Sequence, residues 1–267
     1  MKPVIFAMSS LASISWALAG VKSGHAEAEL FAASEGYAAG QPVQAALKLT
    51  LDEGWHSYWV NPGDSGMPVS IEWELPDGWV AGPLLYPIPE RFVTSGMVGF
   101  GYAKEIVMPV FLTPGEEAAG DVTVKAKVDW LTCDDAACIP GEATLELTLG
   151  EGLGEPSKQA EEIEEAFQKV PQPMSGASLD VVREGDQVTL AIVLPATLDG
   201  EGAELIPATP NALNPEEQIV LGPGEGAWKA VVPAHEYAAE SWESLEVVLV
   251  GGKLKAPLLL HWGKEME

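Results

Sequence analysis

Val122-Thr123-Val124-Lys125-Ala126-Lys127-Val128-Asp129-Trp130 is apolar at every even position and polar at every odd one. That period of two predicts a β-strand with one buried face. The strand runs into Leu131-Thr132-Cys133-Asp134-Asp135-Ala136-Ala137-Cys138-Ile139-Pro140-Gly141, and past a Pro140-Gly141 turn the stretch 143–149 alternates again. Upstream, short alternating runs at 43–51, 69–75 and 106–112 are separated by turn residues. This spacing predicts a sandwich of antiparallel strands.

Downstream, the character changes between Gly150 and Gly176. Residues 157–169 read as a short helix, capped by Ser157 with Glu161 near its first turn and striped by Ala160, Ile163 and Phe167. Such a stripe is expected to rest on a domain surface. Strand patterning resumes at 188–194, 227–232, 245–250 and 254–262. The expected fold is all-β: a first β-sandwich over 27–150, a helical linker over 151–175 and a second β-sandwich over 176–267. No residue-level repeat links the halves, and the second is assigned a structural or docking role.

Residues 4–21 carry no charged side chain, and Gly24-His25-Ala26 has the small residues that signal peptidase favours. Residues 1–26 are therefore expected to be an export leader, with the mature chain starting near Glu27. A cut after Ala17-Leu18-Ala19 is the alternative site, and retention as an anchor the alternative fate. Export places the remainder in an oxidising compartment, without stable membrane insertion. Removing 1–26 takes two of the 14 basic residues and none of the 40 acidic ones, giving a formal charge of −28. Nucleic acid is excluded as a partner on that balance, and the self-repelling surface suits a soluble monomer.

Cys133 and Cys138 are the two cysteines of the chain. A bridge between them closes a ring so short that chain entropy gives it about 2 kcal/mol. A domain of this size folds without such help, so the pair reads as redox-active rather than as a staple. Exchange needs an accessible sulfur, a second within bridging reach and control of the thiol pKa. Asp134 and Asp135 bear on the last, because nearby negative charge disfavours a thiolate; as turn residues they have an equally ordinary explanation. The aromatic stretch Trp55-His56-Ser57-Tyr58-Trp59 supplies candidates for a sulfur pocket. Trp55 and Trp59 suit a core, whereas His56 and Tyr58 have polar tips for a site. A zinc or copper site on Cys133, Cys138 and His56 remains an alternative, lacking a marked fourth ligand. An inert bridge in a binding module is another. No phosphate loop, dinucleotide fingerprint or nucleophile elbow is present, and no cofactor is expected.

Taken together, Trp55-His56-Ser57-Tyr58-Trp59, Asn61-Pro62-Gly63-Asp64-Ser65-Gly66, Ile71-Glu72-Trp73, Leu75-Pro76-Asp77-Gly78-Trp79, Tyr86-Pro87-Ile88-Pro89-Glu90-Arg91, Gly101-Tyr102, Trp130-Leu131-Thr132-Cys133 and Cys138-Ile139-Pro140 resemble the amino-terminal periplasmic domain of DsbD-type thiol:disulfide interchange proteins, in particular the ScsB-like branch. The resemblance spans about residues 30–150 and, more weakly, the second half. It implies immunoglobulin-like sandwiches and a protein-disulfide reductase activity. The pair would accept electrons from a membrane-embedded thiol reductase and pass them to periplasmic thioredoxin-fold clients, such as disulfide isomerases or factors of cytochrome c maturation or copper tolerance.

By motif position, the resemblance makes Cys138 the sulfur of the mixed disulfide and Cys133 its resolving partner. It also implies a mobile cap over the pair near residues 91–100, with Phe92, Met97 and Phe100 as candidates for its apolar contact and Gly96 and Gly99 as hinges. Longer members continue into a membrane reductase and a thioredoxin-like domain. This sequence ends at Glu267 with neither, so either electrons are expected from a separate protein or the chain has taken on another task.

Overall fold

In the computed structural model, which describes residues 20–216 and 218–264, the alternating stretch is one arm of a long hairpin. Most of the expected leader, residues 1–19, lies outside the described residues. The first half contains β1 (Val21–Ser23), β2 (Ala26–Ala32), β3 (Gly36–Tyr37), β4 (Val43–Leu51), β5 (His56–Gly63), β6 (Ser70–Glu74), β7 (Val80–Ala81), β8 (Glu90–Thr94), β9 (Met97–Ala103), β10 (Glu105–Thr113), β11 (Val122–Cys133) and β12 (Cys138–Glu151). One sheet has the order β1-β2-β4-β10-β7. The other runs β3-β12-β11-β5-β9-β8, with β6 also paired to β11.

The alternation in β11 decides which face is buried. Val124, Ala126, Val128 and Trp130 have no exposed surface; Ala126, Val128 and Trp130 pack with Leu47, Leu49 and Met108 of the opposite sheet, and Val124 with Ala45, Val110 and Leu112. Lys125 and Lys127 face outward. Register is continuous from Val122↔Leu149 to Cys133↔Cys138. A slip of one residue would turn the whole buried set to solvent, so the hydrophobic pattern fixes which residue opposes which.

Pro140 and Gly141 do not make a turn: they lie inside β12, opposite Leu131 and Trp130, and the turn occupies residues 134–137. Gly141 serves packing, because a Cβ on it would come within 2.4 Å of the Trp130 indole.

Helix α1 (Ala160–Lys169) starts three residues after Ser157, and no side chain caps it. The Ser157 hydroxyl instead donates to the Ala32 carbonyl at 2.5 Å and accepts from the Gln159 amide at 3.2 Å. Ile163 and Ala166 are buried, and the Phe167 ring lies 4.8 Å from that of Phe111 on β10.

The second half is again a pair of sheets. One contains Gln172–Pro173, Leu258–Gly263, Ser244–Val250, Glu204–Pro207 and Ile219–Val220; the other contains Ser178–Glu184, Gln187–Val193, Trp228–Pro233 and Gly222–Pro223. Val188, Leu190, Ile192, Leu245, Val247 and Leu249 fill the space between them with no exposed surface. The architecture is all-β and immunoglobulin-like, with α1 as the helix among the described residues. The halves share a packed seam. Ile206, Ala208 and Val248 join the cluster that holds Trp59 and Phe100, and the buried Asn61 amide donates to the Pro207 carbonyl at 2.8 Å.

Candidate redox site

The β11–β12 hairpin ends on its two cysteines, which are direct cross-strand partners joined by a disulfide with an S–S distance of 2.04 Å and a Cα–Cα distance of 4.1 Å. The Asp134 amide donates to the Ala137 carbonyl at 2.9 Å just beyond them. That makes 134/137 the hydrogen-bonded pair and places the cysteines in the closer, non-hydrogen-bonded class. The Asp134 carboxylate accepts from the amides of Ala136 and Ala137 at 2.8 and 2.7 Å, so it ties the loop together. These two donors hold its pKa below the ordinary carboxylate value.

The two sulfur-bearing residues differ in access. Cys138 is exposed, whereas Cys133 has no exposed surface. Parity makes this notable: Cys133 is an odd position of β11 and points to the same side as Lys125 and Lys127, away from the core. Something must therefore cover it. His56 on β5 is its cross-strand partner and points the same way. The Phe92 ring of β8 lies 4.1 Å from the His56 ring and 5.9 Å from that of Tyr58, and His56 Nε2 is 3.3 Å from the Tyr58 hydroxyl. His56, Tyr58 and Phe92 form an aromatic cluster beside Cys133 at this end of the sheet.

Burial dominates the electrostatics of the cluster. Desolvation pulls the His56 pKa below its ordinary value, against the opposing pull of Asp135 and Asp134. Desolvation likewise raises that of Tyr58, against a hydrogen bond from Ser65. His56 is thus a neutral imidazole at neutral pH and brings no positive charge to the sulfurs.

The expected cap region is a β-hairpin. Ser95 and Gly96, with φ of 53° and 82°, form the two-residue turn between β8 and β9. The Ser95 hydroxyl donates to the Asp135 carbonyl at 3.1 Å, so the hairpin tip touches the cysteine loop. Among the three cap candidates, Phe92 lies on the site. Met97 is 42 % exposed at the tip, and Phe100 is 3 % exposed in the core beside Trp59. Gly96 sits at the turn, and a Cβ on Gly99 would come within 2.5 Å of the Phe92 ring, so that glycine is the floor on which Phe92 lies. Trp59 is core, and Trp55 stacks on His25 at 3.7 Å. Asp135 contributes its backbone carbonyl.

Ser95 escaped the sequence reading, because a serine in a turn carries no signal for a contact forty residues away. Among the described residues, no group of three His, Cys, Asp or Glu side chains is placed to hold a metal ion.

Residues 26–150 match the family model described as thiol:disulfide interchange protein DsbD, N-terminal. The match covers just under half of the chain. The matched segment contains both cysteines, the aromatic cluster and the β8–β9 hairpin.

The crystal structure of the N-terminal periplasmic domain of ScsB from Proteus mirabilis is similar over 90 % of this chain and 94 % of that one, at 20 % identity and a TM-score of 0.62. At that identity the likeness establishes the fold, and it extends past the matched segment into the second half. The YadV chaperone (8 % identity, covering 88 % of this chain and 98 % of its own, TM-score 0.25) and Spo0M of Bacillus subtilis (11 %, 90 % and 90 %, 0.24) are too distant to bear on the site. No curated protein matches the sequence. Among the described residues, no helix is long and apolar enough to cross a membrane.

Proposed function

We propose that this protein relays electrons by thiol-disulfide exchange through Cys133 and Cys138, from a membrane-embedded thiol reductase to periplasmic thioredoxin-fold clients. The observation that carries the reading is the asymmetry of the pair, one sulfur-bearing residue open to solvent and its partner buried. In the reduced protein the Cys138 thiolate attacks a client disulfide. A Cys138–client mixed disulfide forms, and the client's other sulfur leaves as a thiolate. Cys133, deprotonated, then attacks Cys138, releases the client's second sulfur and restores the Cys133–Cys138 bond. The client gains two electrons and takes two protons from solvent, while this protein loses both. The reductase restores the dithiol by the reverse sequence.

The aromatic cluster fits this chemistry. His56, held neutral, offers no cation to stabilise a thiolate, and the ionised Asp134 beside the pair disfavours one. The reduced pair is then slow with adventitious oxidants and reacts when a partner displaces Phe92.

We divide the chain into a redox sandwich, a helical linker and a second sandwich, and place it in the periplasm after removal of a leader. Val21–Ser23 pairs with Ala26–Ala32, and the Gly24 carbonyl accepts from the Thr132 hydroxyl. This hairpin favours processing after Ala19, which keeps β1, over a cut after Ala26, which deletes it. The intact mass of the exported protein distinguishes the two.

A redox titration against glutathione tests the exchange reading. The expected potential lies above about −300 mV, the range of exchangeable pairs, and a value well below it indicates an inert structural bridge.

A further inference from the structure

We propose that the second sandwich holds the β8–β9 hairpin closed over Cys133 through two tethers, with Arg91 and His235 as positioning residues; this rests on the exchange reading of the disulfide. Neighbouring residues of a strand point to opposite faces. Phe92 therefore lies on His56, while Arg91 beside it reaches the other way. The Arg91 guanidinium donates to the Pro215 carbonyl from Nη2 at 3.1 Å and from Nε at 3.3 Å, and Nη2 also donates to the Glu216 carbonyl.

The second tether leaves β9. The Val98 amide donates to Asp64 Oδ2 at 2.8 Å, and the Asp64 amide returns a bond to the Val98 carbonyl at 2.9 Å. The other carboxylate oxygen faces His235 Nε2 at 3.6 Å. His235 is buried, and its Nδ1 accepts from the Tyr237 amide at 3.1 Å, so the ring hydrogen sits on Nε2, toward Asp64. At 3.6 Å this is an electrostatic contact rather than a hydrogen bond.

Both tethers land on one patch. Leu213 bridges to Ala234, the Asn214 amide donates to the Pro233 carbonyl at 3.0 Å, and the His235 amide donates to the Ala212 carbonyl at 3.1 Å. That patch belongs to the half whose Ile206, Ala208 and Pro207 are packed or bonded to the first sandwich. Lifting Phe92 off His56 by swinging the hairpin breaks the Arg91 fork, whereas the closed form keeps it. An interaction made in one state only shifts the balance toward that state.

The test follows reduction of the intact, oxidised chain by excess dithiothreitol, which is oxidised to its cyclic disulfide as Cys133 and Cys138 become thiols. Arg91→Ala is expected to react about three- to tenfold faster than wild type. Arg91→Lys falls between them, since an ammonium can hold one carbonyl but cannot fork across two. Arg183→Ala is the control: Arg183 stacks over Trp242 and donates to the Ala239 carbonyl within the second half, so its loss is expected to leave the rate unchanged. An Arg91→Ala rate equal to wild type, or an equal acceleration in Arg183→Ala, overturns the tether. If Arg91→Ala does not fold, Arg91→Lys and His235→Asn are judged by the same criterion. A bond that resists dithiothreitol in wild type and Arg91→Ala alike overturns both the tether and the exchange reading; a wild-type bond that reacts, with no gain in Arg91→Ala, overturns the tether alone.

Discussion

His56 stands directly across the sheet from Cys133, on the same face and under the ring of Phe92. A cysteine that strand parity turns outward is nonetheless buried, beside its neighbour on the next strand. The chemistry of the pair is therefore governed by residues that are distant in sequence and carried on different strands.

The floor of the cluster gives a prediction about access. In Gly99→Ala the new Cβ meets the far edge of the Phe92 ring, so the ring moves before the backbone does. Phe92→Ala removes the ring outright. Both variants are expected to raise the rate of reduction by a small thiol, Phe92→Ala by about tenfold or more if its burial is worth about 1.5 kcal/mol or more to the closed form. Stopped-flow reduction followed by tryptophan fluorescence checks this.

The depressed pKa of His56 predicts a pH dependence of stability. Above about pH 6.5 the ring is neutral in both folded and unfolded chains, and its burial carries no protonation penalty. As pH falls through that value, the unfolded chain binds a proton that the folded site resists, so stability declines until the lower, folded pKa is reached. The urea midpoint is expected to fall between about pH 7 and pH 5, and to fall less in His56→Phe.

The seam between the halves predicts a local cost. Asn61 is 3 % exposed, donates to Pro207 and accepts from the Gly63 amide at 3.1 Å. Asn61→Ala leaves a buried carbonyl without its donor, at about 1–3 kcal/mol. Urea unfolding of the variant measures that loss, and both halves are expected to lose cooperativity together.

Much of the fold was legible because β4, β10, β11 and β12 each bury one face and so write their parity into the sequence. Pro140-Gly141 misled because a proline and glycine usually mark a turn; here Gly141 makes room for Trp130 across the strand pair, a relationship that exists only once the register is set. At the site, the cysteines, His56 and Tyr58 were visible as residue types in a motif. Phe92 could not be chosen over Phe100 without knowing that β8 and β9 form a hairpin: Phe100 points into the core, while Phe92 lies on the outer face over Gly99. The Arg91 and His235 contacts join residues more than a hundred positions apart and leave no local trace.

In the proposed relay, Cys138 is the sulfur that meets the partner and Cys133 the one that resolves the bond. Incubating reduced Cys133→Ala and reduced Cys138→Ala with an oxidised periplasmic thioredoxin-fold protein, then resolving covalent complexes on non-reducing gels, tests it most directly. Cys133→Ala is predicted to accumulate a thiol-sensitive complex and Cys138→Ala none. Complexes with Cys138→Ala alone, or with neither variant, would contradict it.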